Sequence, residues 1–312
     1  MTGQPASQSL GERVLLKDNK LRPGFRVLVY IIATTVATVL LSALIGLTSP
    51  SPGGGETISP SAMLAFEACL TVCAFAVAFL FRRFLDQRSI ASLGFSVRGP
   101  WLRLLSIGCG LGVAMQLFVF ALEDLLGYSH FAAFATARQD AAVLTVLLPT
   151  FALLGLAEEM LFRGYILQNI WEAWGPIAAV ALTSALFAVA HLGNPGSHAQ
   201  LAFTLIGLVA YALWACISLL WTKSLWLAVG VHFMWNVFEG PVLGFPVSGF
   251  AFPSTAIRQT FTGPHWFTGG PFGPEAGASA VLALAFGYVL LSLLKRQGAF
   301  ADVADEREPY AR

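Results

Sequence analysis

The stretch "GLAEEMLFRGYILQ", Gly155 to Gln168, sets two adjacent glutamates and an arginine at the end of a greasy run. From Val143 to Ala157 no side chain is charged. On a helix, Glu159 and Arg163 stand one turn apart and share a face, while Glu158 is rotated from Glu159 by about 100°. One glutamate can therefore serve structure and the other chemistry. A charge at the centre of a membrane helix costs at least about 2.5–3.5 kcal/mol on insertion scales, so such groups pair or face a wet cavity. The alternative is that the cluster merely ends a span at the interface. How far the helix runs beyond Arg163 decides between the two.

The rest of the chain supplies the solvent. Of 312 residues, 56% are hydrophobic and 11% charged, where a soluble domain carries about a quarter charged. The composition is that of a polytopic membrane protein, an all-α helical bundle. Eight apolar runs are near the ~20 residues that cross a bilayer. They are Phe25–Thr48, Ser61–Phe81, Leu104–Leu126, Val143–Leu161 or beyond, Ile177–Leu192, Leu201–Leu220, Leu225–Leu243 and Ala278–Leu294. The segment 244–277, rich in Gly, Pro and Phe, reads as a long, partly apolar loop. Cys69, Cys73, Cys109 and Cys216 all lie in apolar runs and suggest neither a disulfide framework nor a zinc site.

Basic residues give the orientation. The N-terminal tail and the loop 82–103 are rich in arginine, Arg163 and Lys223 follow on the same side, and the C-terminal tail is basic. Only Arg138 and Arg258 of the 18 basic residues fall on the opposite side. The expected division is a cytoplasmic tail 1–24, a membrane domain 25–295 with its catalytic core at about 142–243, and a cytoplasmic tail 296–312.

Two further runs carry polar groups of the same kind. "FAVAHLGNPG" places Phe187 and His191 four apart, and "VHFMWNVFEG" places His232 and Asn236 four apart. A lone histidine in a span is more often a helix-packing hydrogen bonder than a catalyst. Depth counting joins the three runs. If the fourth helix continues to Trp171 and Trp174, then Glu158, His191 and His232 lie about 20, 22 and 13 Å from the same interface at 1.5 Å per residue, inside a ~30 Å core. If it stops at Leu161, they do not converge.

EExxxR at 158–163, FxxxH at 187–191 and HxxxN at 232–236, in this order on successive spans, resemble the CPBP family. That family holds the type II CAAX prenyl endopeptidases and bacterial Abi-type proteins. The resemblance covers about residues 85–245, including "RSIASLGF". It implies a glutamate-dependent intramembrane endopeptidase cutting near the C-terminus of lipidated or membrane-associated peptides and proteins, some of them prenylated. Glu158 is then the base that activates water. His191 orients that water, His232 and Asn236 donate to the oxyanion, and Glu159, Arg163 and Phe187 support them. No cofactor is favoured.

The residues alone leave other readings open. Glu158, His191 and His232 also make a His2Glu set of the kind that binds catalytic zinc, although HExxH is absent. A non-catalytic scaffold or immunity-type protein would use the same charges to hold helices together, and a transporter would use the glutamates for proton coupling. The expected partners are membrane lipid and a peptide or protein substrate, not nucleic acid. Glu67 has no assigned role, and Glu239, one turn past Asn236, is expected to line an entrance.

Overall fold

The structure is a computed structural model that describes residues 16–17, 20–46, 59–135, 138–252 and 254–303. The outer parts of both tails, with Arg13, Arg307 and Arg312, and most of the loop 49–60 lie outside the described residues. What is described is mostly helical.

α1 (Pro23–Leu44) shows which solvent the fold is built for. Leu28, Ile32, Val36 and Leu40, spaced by four, are each more than half exposed, while Thr34, Thr38 and Ser42 are buried. Apolar side chains face outward and small polar ones face the neighbouring helices, as in a bundle dissolved in lipid. Six helical segments are long and apolar enough to cross a bilayer among the described residues: Pro23–Leu44, Pro60–Leu85, Trp101–Leu125, Val143–Gly193, Leu201–Thr222 and Ala278–Arg296.

These six differ from the eight expected runs at two places. The fourth and fifth runs are joined. α4 (Arg138–Glu159), a π-helical turn (Met160–Ile166) and α5 (Leu167–Ala190) follow one another directly, with non-helical backbone at Gly175 (φ 80°, ψ 177°). A glycine accepts that positive φ without a Cβ clash, and Pro176 suits the start of a new helical stretch. The 51-residue apolar segment would be about 77 Å long if straight, more than twice a ~30 Å hydrocarbon core. The seventh run differs in length: α7 (Trp226–Val237) has 12 residues before a π-helical turn at Phe238–Val242, about 18 Å of α-helix. It can be short because protein surrounds it, with Leu227 to His232 and Trp235 to Val237 all buried.

α2 (Pro60–Leu80), α3 (Trp101–Leu125), α6 (Leu201–Thr222) and α8 (Ala278–Arg296) complete the bundle. α7 is gripped by α3 through glycines. A Cβ on Gly108 would stand 2.2 Å from Leu227 O, and one on Gly230 would stand 2.3 Å from Leu105 O. Backbone cannot retreat as a flexible side chain can. Gly108→Val is therefore expected to cost at least the upper end of the ~1–3 kcal/mol usual for overpacking, read as a lower melting temperature in detergent. Gly110→Ala is the control, because nothing lies within 4 Å of its Cβ position. Equal melting of the two variants would contradict this crossing.

At the arginine-rich end, Arg26 of α1 and Arg82, in the π-helical turn that follows α2, share Asp86, at 3.0 and 3.1 Å. All three are buried. Tyr165 joins them, its ring centroid 4.2 Å from that of Tyr30. The cluster ties α1 and α2 to the π-helical turn at 160–166.

At the other end, β1 (Ser129–Phe134) pairs antiparallel with β2 (Ile257–Phe261). This small sheet departs from a purely α reading. It gives the loop 244–277 a built structure, with Phe245, Val247, Phe267 and Phe272 buried.

Candidate active site

Three helical elements bring the three motifs together. α4 and its π-helical turn run on into α5 as far as Gly175, so the helix carrying Glu158 does continue past Arg163. α7 lies close against α4: a Cβ on Gly155 would be 3.5 Å from His232 Cβ. Glu158 and Glu159, one turn further on, consequently meet His232. His191 enters from the end of α5, where the helix tightens into a 3-10 turn at His191–Gly193.

Glu158 stands between the two imidazoles. His191 Nε2 is 3.8 Å from its Oε1, and His232 Nε2 is 3.7 Å from its Oε2. Both separations exceed a hydrogen bond and are of the kind that one water bridges. The Glu158 side chain is 18% exposed and that of Glu159 is 0% exposed, so only the first is reachable by solvent and substrate.

The far side of each imidazole is tied down. His191 Nδ1 lies 2.8 Å from Phe187 O. A carbonyl only accepts, so Nδ1 carries the proton and Nε2 of the neutral ring turns its lone pair toward Glu158. His232 Nδ1 lies 3.1 Å from Glu159 Oε1, the oxygen that also accepts from Arg163 Nη1 at 3.1 Å. The pair foreseen from spacing is thus a triad: Arg163 anchors Glu159, and Glu159 aims His232.

Arg163 is wholly buried, its guanidinium carbon 4.5 Å from the Phe187 ring centroid and 5.6 Å from that of Tyr211. Phe187 also contacts the His191 ring, with centroids 4.5 Å apart. It packs on both an arginine and a histidine of the site, which is why its place one turn before His191 matters. Asn236 is buried one turn beyond His232 on α7. Among the described residues no group of three His, Cys, Asp or Glu side chains is picked out as a metal-holding cluster.

The family model described as Type II CAAX prenyl endopeptidase Rce1-like matches residues 140–238. The match covers about a third of the chain and supports its assignment to the CPBP family. The match contains every motif residue named above and is narrower than the 85–245 stretch of resemblance. Comparison with curated proteins and with solved structures returned no match. Together with six apolar helices, the match supports an integral membrane protein, and it makes a protease of the CAAX type the coarse reading of the activity.

Two residues at this site escaped the sequence reading. Tyr211 of α6 stacks edge-on against His232, with ring centroids 5.2 Å apart. Nothing in its spacing marks it, since tyrosine in an apolar run reads as packing. Glu275, ahead of α8, lies close enough to His191 and His232 to interact with them electrostatically. Burial pushes its carboxyl up, while Ser248 draws it back by donating its amide and hydroxyl to Oε2 at 2.9 and 2.5 Å. Glu275 is the one acidic residue between Gly240 and Gly277, and that isolation was the available signal. Glu239 corrects an expectation: it is fully buried and lines no entrance. Glu67 of α2 is buried with Oε2 making no hydrogen bond, and Glu158 is a charge that acts on it.

Proposed function

We propose that the chain is an intramembrane endopeptidase in which Glu158 activates a water for attack on a peptide bond. The observation that supports this reading is the placement of one accessible carboxylate between two imidazole Nε2 atoms, at 3.8 and 3.7 Å, delivered by separate helices. A water there donates one proton toward Glu158 and the other toward His191 Nε2. Glu158 takes the first proton as the water oxygen bonds to the scissile carbonyl carbon. The oxyanion accepts from the Asn236 amide and, in the charged form of that ring, from His232 Nε2–H. As the C–N bond breaks, the proton on Glu158 passes to the leaving amine. Glu159 and Arg163 touch none of the reacting atoms; they position His232 and hold the helix.

The proposed substrate class, which the family match supports, is peptide bonds near the C-terminus of lipidated or membrane-associated proteins, prenylated ones included. The direct tests are loss of cleavage in Glu158→Gln and capture of bound membrane peptides by that variant, followed by mass spectrometry.

The proposed membrane arrangement is eight crossings, with α4 and α5 turning back at Gly175 and α7 counted as a short one. Tails 1–24 and 296–312 lie in the cytoplasm, and the membrane domain 25–295 has its catalytic core at 142–243. The alternating arginines carry this arrangement. Reporter fusions after residues 55, 95 and 312 are expected to report outside, inside and inside. An outside signal at 312 overturns it.

A further inference from the structure

The backbone that follows His191 is held from two sides. On its own side, the Asn194 amide donates to His191 O at 3.1 Å and Ser197 Oγ donates to Leu192 O at 2.8 Å, so Pro195 and His191 belong to one tied piece. Against that piece sits a second turn, at 247–250. Val247 and Phe250 exchange backbone hydrogen bonds of 2.9 Å each, and Ser248 and Gly249 between them both have positive φ, 46° and 89°, as in a type I′ turn. Glycine takes that backbone freely, whereas serine rarely adopts it. Gly249 is pressed on both sides: a Cβ on it would stand 1.9 Å from Pro195 O, and its amide donates to Phe272 O at 2.7 Å.

Glu275 is what keeps Ser248 in that conformation. Both the amide and the hydroxyl of Ser248 donate to Glu275 Oε2, at 2.9 and 2.5 Å. Glu275 is itself fixed against α6, because a Cβ on Gly207 would stand 1.7 Å from Glu275 O. Gly207 lies one helical turn before Tyr211, whose ring borders His232. One carboxylate therefore connects α6 to the turn at 247–250, and that turn bears on Pro195. Neither Glu275 nor Ser248 takes part in the proposed proton transfers.

We propose that Glu275 is a positioning residue for the reaction: through Ser248 it holds the turn 247–250 against Pro195, and so keeps His191 at the distance from Glu158 that one water spans. This role rests on the peptidase reading, since only a water held between the two gives that distance a catalytic meaning. Glu275 acts through His191 and touches no reacting atom.

The test reads His191 directly. The purified full chain in detergent is treated with diethyl pyrocarbonate, which acylates accessible neutral imidazoles, and each histidine is followed by peptide mass spectrometry. Hydrogen bonds to a charged acceptor bias an equilibrium about tenfold or more, so Glu275→Ala is expected to speed His191 labelling about tenfold. Labelling of His130, exposed on β1, should not change. Glu275→Gln keeps an acceptor without the charge and should recover most of the protection, which separates holding the turn from the field of the carboxylate. If Glu275→Ala does not fold, Ser248→Ala removes only the hydroxyl bond and should move His191 labelling in the same direction. His191 labelling at the wild-type rate in the folded variant overturns the role, and so does an equal rise at His130. With a farnesylated C-terminal peptide as probe, Glu275→Ala should lower kcat about a hundred-fold, the order that a ~1 Å misplacement costs, at unchanged KM. A raised KM at wild-type kcat overturns it. Glu158→Gln in the same assay keeps the two readings apart. Wild-type activity in Glu158→Gln brings down the peptidase reading, whereas an inactive Glu158→Gln beside a fully active Glu275→Ala brings down only the positioning.

Discussion

Glu158→Gln is expected to abolish peptide cleavage while leaving folded yield and melting temperature unchanged. The substitution keeps size and hydrogen bonding and removes only the basicity. General-base catalysis is worth about 10²–10⁴ in rate, and a site that also depends on a positioned water loses most of what remains. Stability should hold because Glu158 makes no hydrogen bond to the Glu159–Arg163–His232 network, standing 3.7 Å from His232 Nε2, and its side chain is part-exposed. His191→Ala should match the loss, and His232→Ala should add the ~10²–10³ associated with an oxyanion donor. Exhaustive chelation with elemental analysis belongs to the same assay. Activity that vanishes on chelation and returns with zinc would make Glu158, His191 and His232 ligands and displace the glutamate mechanism. Full activity in Glu158→Gln would return the cluster to helix packing and the chain to a scaffold.

Arg163→Ala is expected to produce the largest loss of stability. Its side chain is wholly buried and it is an ion-pair partner of Glu159. Removing one member of a buried pair leaves an uncompensated charge and costs about 3–5 kcal/mol, a large share of the 5–15 kcal/mol of a typical fold. The lost packing on Phe187 and Tyr211 adds to this. Arg163→Lys should rescue only in part, since a point charge replaces a planar group lying over two rings. The pair Glu159→Leu/Arg163→Met should recover most of the folded yield, because two well-packed apolar side chains leave no charge behind. It should not recover activity, because His232 then has nothing to aim it. A wild-type melting temperature for Arg163→Ala would place that guanidinium outside the interior and undo the triad.

Much of this site could be read from spacing. Residues four apart on a helix share a face, so Glu159 with Arg163, Phe187 with His191 and His232 with Asn236 were visible as pairs before any coordinates. Contacts between helices were not. That Glu159 also holds His232, 73 positions away, depends on how closely α4 and α7 pack at Gly155, and periodicity carries no such distance. The arginine count had a similar blind spot. Arg26 and Arg82 were read as charges of the basic side, yet both are buried on Asp86 and act as structural ties. Hydropathy separated the fourth and fifth runs at "EAWGP", where the backbone has only a single non-helical residue. It also gave no sign of β1 and β2, whose pairing joins residues more than a hundred positions apart.

The wide turn at Met160–Ile166 makes residue count matter differently along the rod. The Leu167 amide reaches back five residues to Phe162 O, so the rod holds one residue more than a regular helix would. Upstream of it the rod faces His191 and His232; downstream, Leu167 and Ile170 share a buried cluster with Val27 and Tyr30 of α1. The wide turn absorbs that residue, so the two halves keep the phase they would have in a regular helix without it. Deleting one residue inside the turn would leave the Leu167 amide four positions from Phe162 O, and the same bond would close a regular turn with both faces in place. Deleting a residue well outside the turn would instead rotate one half by about 100° against the other. The face with Glu158 and the α1 anchor could then no longer be satisfied together. A relative shorter by one residue in this turn would keep both partner surfaces, whereas one shortened in the regular helix would have to rebuild one of them.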